Sequence, residues 1–315
     1  MKILVIGTGV IGTLYSIALS ECNEIVHYVR SHKLNEWDNK TIKYDFLDER
    51  LPKKERNTHG SYTFRCTGNI KDGYDLIFVP VNSYQLSDTL SEINIQAPNA
   101  RYLIMTLNWK GNSETDKILK PEQYVLGYAG GGGTYKENNS LLWANMGNDI
   151  LLGSVYEAQK KLLDKVNALF LEVKIKPEIP SNILHALWLH NIASAPFGAA
   201  LIKHRDLNKT FADKELGKAC FGAFKECYDI VSARGVNLKE FPETKIFKLM
   251  FSLPVFIQSA ILKGNLKGEA AERYTSHAIL AIKEMKSNFD EILKTARELN
   301  VSVPHMEKLN SLISQ

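Results

Sequence analysis

The chain lacks an excess of either charge: 39 lysines and arginines face 35 aspartates and glutamates over 315 residues, a net of +4. So small and scattered a balance argues against a nucleic-acid or membrane-surface binder and for a small-molecule partner. Cysteine is scarce. Cys22, Cys66, Cys220 and Cys227 show neither disulfide-framework nor zinc spacing, Cys220 and Cys227 share one helical face as packing residues do, and no metal is expected. Long apolar runs are missing too. The longest, Trp188 to Ile202, is interrupted by His190, Asn191 and Ser194 and falls short of the ~20 apolar residues a membrane span needs. Met1-Lys2 leads straight into strand-like residues with no cleavable leader, so a cytoplasmic protein with free thiols is expected. Internal repeats and low-complexity segments are absent. What the chain does have is 44% apolar residues, enough to fill a core in each of the two domains that its length implies.

Residues 2–6, Lys-Ile-Leu-Val-Ile, are a β-branched and nearly continuous apolar run, the pattern of a parallel strand covered on both faces. Gly7-Thr8-Gly9-Val10-Ile11-Gly12 follows directly, helical spacing resumes through Leu14, Ile17, Ala18 and Leu19, and Glu24 to Val29 reads as a second strand. A GxGxxG turn between a strand and a helix is the dinucleotide fingerprint in its required context. Gly7 makes the tight turn, Gly9 lets backbone amides approach a pyrophosphate, and Gly12 allows close packing of the helix on the strand. The helix N-terminus adds free N–H groups and a positive dipole. The second strand ends at Arg30 with no carboxylate to hold a ribose 2′-hydroxyl, and an arginine there matches the 2′-phosphate of NADP. Surface exposure alone would also account for Arg30, and His32 and Lys33 lie nearby.

Asp75 to Val81 and Arg101 to Leu107 are two more buried strands. They end in Asn82-Ser83-Tyr84-Gln85 and in Asn108-Trp109-Lys110-Gly111, at the carboxyl ends where doubly wound sheets bind ligands. Tyr124 to Ala129 reads as a strand. The glycine run 130–133 could crowd a nicotinamide or form a flexible turn, and Leu141 to Met146 with Asp149 to Leu152 reads as a hairpin around Gly147-Asn148. Val155 to Phe170 is an amphipathic helix and Glu172 to Lys176 a closing strand. Pro177-Glu178-Ile179-Pro180 is the clearest break, and everything beyond it has helical period: Ser181 to Lys203, Asp213 to Arg234, Lys245 to Leu262 and Tyr274 to Asn300, capped by Val301 to Pro304. The expected fold class is α/β, a Rossmann-like doubly wound sheet over 1–178 followed by an all-helical domain over 179–315 for substrate and dimerisation, with the substrate in the cleft between them.

Gly7-x-Gly9-x-x-Gly12 with Arg30, Asp75 through Val81-Asn82-x-x-Gln85, Leu107-Asn108-x-x-Gly111, the glycine-rich turn and Leu151-Leu152-Gly153 together resemble the ketopantoate reductase (2-dehydropantoate 2-reductase) family. Trp188, Asn191, Pro196, Ala199 and the terminal Val303-Pro304 extend the likeness through the second domain. The resemblance implies NADPH-dependent reduction of a 2-oxo acid to a 2-hydroxy acid, a place in pantothenate biosynthesis, and Asn108 beside the nicotinamide. Family members use a lysine of the first C-terminal helix as general acid, an asparagine one turn later to bind substrate, and a late glutamate to hold its hydroxyl. Setting Asn191 on that asparagine puts Leu187 at the lysine position and Ala195 where a second asparagine is usual. Asn82 stands where a further lysine is common, and Glu284 is the nearest candidate for the glutamate.

Hydride transfer still requires a group to protonate or hydrogen-bond the developing alkoxide. His277, which shares a helical face with Glu284, is the first choice, then His190, then Lys203 from the helix end. Each also fits a packed or surface role, and Trp109, Trp143 and Trp188 read as packing residues. The expected partner is a small carbonyl compound, with a homodimer built on apolar residues such as Phe247, Leu249 and Phe256, which could equally be core. An opine- or hydroxyacid-dehydrogenase-like enzyme and a non-catalytic NADP(H) sensor are the alternatives.

Overall fold

The computed structural model describes residues 1–70, 73–241, 243–265, 268–269, 271–273, 276 and 281–314. Two compact units divide it, Met1–Ala186 and Leu187–Gln315. In chain order the first holds β1 (Lys2–Ile6), α1 (Val10–Leu19), β2 (Glu24–Tyr28), α2 (Ser31–Trp37), β3 (Thr41–Asp48), β4 (Asn57–Thr63), β5 (Cys66–Thr67), β6 (Leu76–Val79), α3 (Leu86–Gln96), β7 (Tyr102–Met105), α4 (Ser113–Asp116), β8 (Tyr124–Ala129), β9 (Gly132–Lys136), β10 (Leu141–Met146), β11 (Asp149–Gly153), α5 (Lys160–Glu172) and β12 (Lys176–Glu178).

Eight of these strands form one sheet in the order β12-β11-β8-β7-β6-β1-β2-β5. Pairing is parallel from β8 to β5, and β11 joins β8 antiparallel. Ile3, Leu4 and Val5 of β1 are inaccessible, as a strand covered on both faces must be. Leu14, Tyr15, Ala18 and Leu19 of α1 bury their stripe against the same core, together with Val166, Leu169 and Phe170 of α5.

A second sheet has the order β4-β3-β10-β9, and this is where the sequence expectation needs correction. Leu141–Met146 and Asp149–Gly153 do not form a hairpin: β10 pairs with β3 and β9, whereas β11 pairs with β8 and β12. Gly147 is the step from one sheet to the other, and a Cβ there would sit 2.3 Å from the Gly130 carbonyl oxygen. Two short apolar runs separated by Gly-Asn satisfy the hairpin pattern equally well in both arrangements, and only the long-range partners distinguish them. The closing strand is also later than expected, because α5 continues to Glu172 and β12 begins at Lys176. Pro177 thus lies in β12, an edge strand that tolerates its missing N–H.

The second helical series is α6 (Ile183–His204), α7 (Leu207–Ala212), α8 (Lys214–Ala233), α9 (Glu243–Phe251), α10 (Val255–Asn265), α11 (Ile282–Glu298) and α12 (Pro304–Ile313). The break between the two units falls in α6 rather than at Pro177–Pro180. Its first turn is packed on the first unit, where a Cβ on Gly153 would meet Ile183 at 2.5 Å. The segment expected as one helix over Lys245 to Leu262 is two, because Pro254 follows Ser252-Leu253 and cannot continue α9. Of the helix expected over Tyr274 to Asn300, the described part ends in Ile282–Glu298, while Tyr274 lies outside the described residues. Val303-Pro304 begins a helix rather than closing the domain, with Pro304 at the favoured first position. Among the described residues, no helix is long and apolar enough to cross a membrane.

One carboxylate holds α12 in place. Glu226 of α8, buried, accepts the backbone amides of His305 and Met306 at 2.8 Å each, and the His305 ring through Nδ1 at 2.7 Å. It therefore caps a neighbouring helix N-terminus, where a negative charge also meets the favourable end of the dipole. Glu226→Ala strands two amides and should lower stability by about 2–4 kcal/mol, read as a lower urea midpoint at unchanged slope.

Candidate functional site

The glycine turn follows β1 as the fingerprint requires. Gly7 sits at φ +82° and donates its amide to the Tyr28 carbonyl at 2.8 Å, which ties the turn to the end of β2. Such a dihedral suits glycine alone without strain. Gly9 is exposed, and a Cβ on it would meet nothing within 4 Å. Gly12 is the opposite case: a Cβ there would lie 3.0 Å from Pro80 Cγ and 3.1 Å from Val5 Cγ1. The helix that follows has no side-chain cap on its first amides, so the donors that would receive a phosphate are uncommitted to neighbouring side chains. Thr8, Val10 and Ile11, half-buried, complete the turn.

The other predicted cofactor residues lie along the same sheet edge. Arg30 follows β2, Asn82 and Gln85 follow β6, and Asn108 follows β7, and in the sheet these strands run β7-β6-β1-β2. Four adjacent parallel strands thus deliver all of them past their carboxyl ends. Arg30 and Gln85 are exposed and Asn82 and Asn108 half-buried. Arg30 opens α2 without using its side chain as a cap. Tyr28, just before it, donates its hydroxyl to Glu92 of α3 at 2.6 Å. Asn82 Nδ2 donates to the Tyr84 hydroxyl at 3.0 Å. Asn108 Nδ2 donates to the Gly111 carbonyl and so closes its own loop around Gly111 at φ +83°. Asn112 and Asp116 anchor the exit of that loop, with Asp116 accepting from Asn112, Tyr124 and Tyr156 at 2.6–2.7 Å.

The glycine run after β8 is closely packed. A Cβ on Gly130 would strike Asp149, on Gly131 the Asn145 carbonyl oxygen and Leu14, and on Gly133 the Trp143 carbonyl oxygen, all at 2.2–2.8 Å. Gly130 also donates its amide to the Tyr15 hydroxyl at 3.0 Å. These glycines let β8 and β9 pass close to α1 and β10. The tryptophans have packing roles: Trp109 is buried, Lys136 lies over the Trp143 ring at 3.3 Å, and the Arg234 guanidinium lies over Trp188 at 3.6 Å.

In the helical unit α6 carries two of the expected side chains. Asn191 is 1% exposed, and neither its Oδ1 nor its Nδ2 has a hydrogen-bond partner among the described residues. A buried amide in that condition is uncommon and needs a reason. His190 is accessible yet ringed by enough protein that desolvation pushes its imidazole down to about 4. The neutral ring, which offers an N–H, is thereby favoured at pH 7. Leu187, one turn before Asn191, and Ala195, one turn after it, are buried. Glu284, half-buried on α11, precedes Met285, whose sulfur lies where a Cβ on Gly198 of α6 would be; α11 thus packs on α6 two turns beyond Asn191. His277 lies outside the described residues.

Lys203 is paired with a carboxylate. It donates to Asp213 Oδ2 at 2.8 Å, His204 Nε2 meets the same oxygen at 3.0 Å, and Asp213 Oδ1 caps α8 through the Leu216 amide at 3.0 Å. The Lys203 bond, then the Leu216 amide and His204, hold the Asp213 carboxyl well below its ordinary range. A lowered folded-state pKa gives stability that is present above the unfolded value of about 3.9 and lost as the pH falls below it. Asp213→Asn should accordingly lower the urea midpoint at pH 7, and the gap from the unsubstituted protein should narrow as the pH is brought below about 4.

Residues 3–155 match the family model for ketopantoate reductase PanE/ApbA. The sequence has no match among curated proteins. Solved structures extend the likeness of fold over the whole chain. A 2-dehydropantoate 2-reductase from Geobacter metallireducens is 14% identical with a TM-score of 0.74, covering 100% of this chain and 99% of that one. Dimeric ketopantoate reductase from Staphylococcus aureus, also 14% identical, has a TM-score of 0.70 over 100% and 98%. A ternary structure of D-mandelate dehydrogenase with NADH and anilino(oxo)acetate is 13% identical with a TM-score of 0.73 over 100% and 97%. The family match covers the stretch that carries the glycine turn.

Proposed function

We propose that the protein is a cytoplasmic, NADPH-dependent reductase of a small 2-oxo acid, converting it to the 2-hydroxy acid. The observation that carries this reading is the single sheet edge on which the glycine turn, Arg30, Asn82, Gln85 and Asn108 stand side by side. Gly7 to Gly12 hold the pyrophosphate on backbone amides, and Arg30 holds the 2′-phosphate by a charge-assisted contact. Asn82, Gln85 and Asn108 border the dinucleotide further along the edge. When bound, the reduced nicotinamide supplies the hydride.

The helical unit supplies the polar groups for the carbonyl compound. Asn191, buried with both amide atoms unpartnered, gives a donor and an acceptor to a 2-oxo acid. His190 offers a neutral N–H toward the developing alkoxide, and Glu284 accepts from a substrate hydroxyl. With Leu187 at the position of the family lysine, stabilisation by hydrogen bonds takes over the work of a charged acid. Ketopantoate is therefore one member of the substrate class rather than its defining member. A second copy of the chain is favoured by the apolar side chains that α9 and α10 expose, Ile246 at 71%, Leu249 at 69% and Phe256 at 73%.

The test is NADPH absorbance with ketopantoate and a panel of other 2-oxo acids. Turnover of any member supports the reading; tight NADPH binding with no turnover replaces the reductase with a sensor. Arg30→Ala should weaken NADPH about 10- to 100-fold, the loss of one charge-assisted contact, while leaving NADH within about twofold; equal losses would remove the selectivity for NADP. Asn191→Leu should cut kcat/KM at least about tenfold yet raise stability by about 1 kcal/mol, because an unsatisfied buried amide gives way to an apolar isostere.

A further inference from the structure

Two side chains of separate origin grip the carbonyl oxygens of the glycine turn. His27 of β2, fully buried, places Nδ1 2.8 Å from the Gly7 carbonyl oxygen and Nε2 3.0 Å from the Tyr62 hydroxyl. A carbonyl only accepts, so Nδ1 carries the hydrogen and Nε2 accepts from Tyr62. Tyr135 donates to the next carbonyl, that of Thr8, at 3.1 Å, and its oxygen lies 2.9 Å from Thr13 Oγ1. Tyr62 and Tyr135 come from β4 and β9, the two outer strands of the four-stranded sheet.

The consequence follows from peptide planarity. In a trans peptide the C=O of one residue and the N–H of the next point in opposite directions, and the described chain contains no cis bond. Drawing the Gly7 oxygen toward His27 turns the Thr8 N–H away from it, and drawing the Thr8 oxygen toward Tyr135 turns the Gly9 N–H away likewise. Two successive amides are thereby turned away from the partners of their carbonyls, an arrangement that can receive a phosphate oxygen. A carbonyl turned forward would instead repel it.

We propose that His27, Tyr62 and Tyr135 are positioning residues for dinucleotide binding, a relay by which the four-stranded sheet sets the amide face of the glycine turn. The inference rests on the dinucleotide reading above. Three edge-to-face ring contacts hold the relay stiff: His27 on Phe64 at 4.9 Å, Trp37 on Phe64 at 5.1 Å and Trp37 on Tyr135 at 6.3 Å between centroids. Burial pushes the imidazole of His27 down to about 4 and the hydroxyl of Tyr135 up to about 12, so neither group changes charge at neutral pH.

Calorimetric titration of the full chain with NADPH tests this, with the melting temperature of the unliganded protein measured alongside. Tyr135→Phe removes one oxygen and should weaken NADPH about tenfold, the cost of one mispositioned donor. His27→Asn, whose Nδ2 can still reach the Gly7 oxygen, should bind within about threefold of the unsubstituted protein, and His27→Leu should bind at least about tenfold worse. The ¹⁵N shifts of the His27 ring should report hydrogen on Nδ1. Tyr135→Phe binding within twofold of the unsubstituted protein, or His27→Asn no better than His27→Leu, would overturn the relay even if the melting temperatures fall. If His27→Leu does not fold, the Tyr135→Phe result decides alone. Failure of the unsubstituted protein to bind NADPH or NADH would overturn instead the dinucleotide reading itself.

Discussion

A side chain at residue 12 would be crowded. Pro80 and Val5 occupy the space that its Cβ would need, and this close approach fixes how near α1 lies to β1 and to the exit of β6. The distance has consequences in both directions along the chain. Toward the amino end it brings the first amides of α1 over the carboxyl edge of the sheet, where helix dipole and unpaired N–H groups act together on an anion. Toward the carboxyl end it leaves Leu14 so near residue 131 that a Cβ there would lie 2.8 Å from it, and Tyr15 takes the Gly130 amide on its hydroxyl.

The local features of the first unit were legible because they are written in short spacings. The turn, its helix and Arg30 lie within thirty residues, and Asn82, Gln85 and Asn108 follow strands whose apolar runs are unmistakable; parallel pairing then puts them on one edge. What escaped was everything that depends on distant partners. Residues 38–74 give no strong period, yet they supply β3 and β4, and the assignment of β10 to the second sheet was hidden because a Gly-Asn step between apolar runs imitates a hairpin. His27 could be read as a strand residue but not as a hydrogen-bond donor to the turn, since Tyr62 and Tyr135 reach it only through that second sheet. In the helical unit, Pro254 was in plain view, and the sustained apolar pattern on both sides of it outweighed the break.

Two buried polar side chains of the helical unit show how structural and functional polarity differ. Both oxygens of Glu226 are satisfied by backbone amides and a ring nitrogen of α12, so its charge is stabilised where it stands and its job is to join helices. Asn191 is as deeply buried and has no such partners. A fold selected for stability alone would replace that amide with leucine.

The pairing of β10 with β3 bridges about a hundred residues of chain, Leu141 with Lys43 at one end of the ladder and Met146 with Asp48 at the other. Loop closure of that size is slow relative to local hairpins. During synthesis the glycine turn emerges before its rear support, which must wait until Met146 has cleared the exit tunnel. A nascent chain arrested before that point would carry the nucleotide fingerprint intact in sequence and unbraced in space.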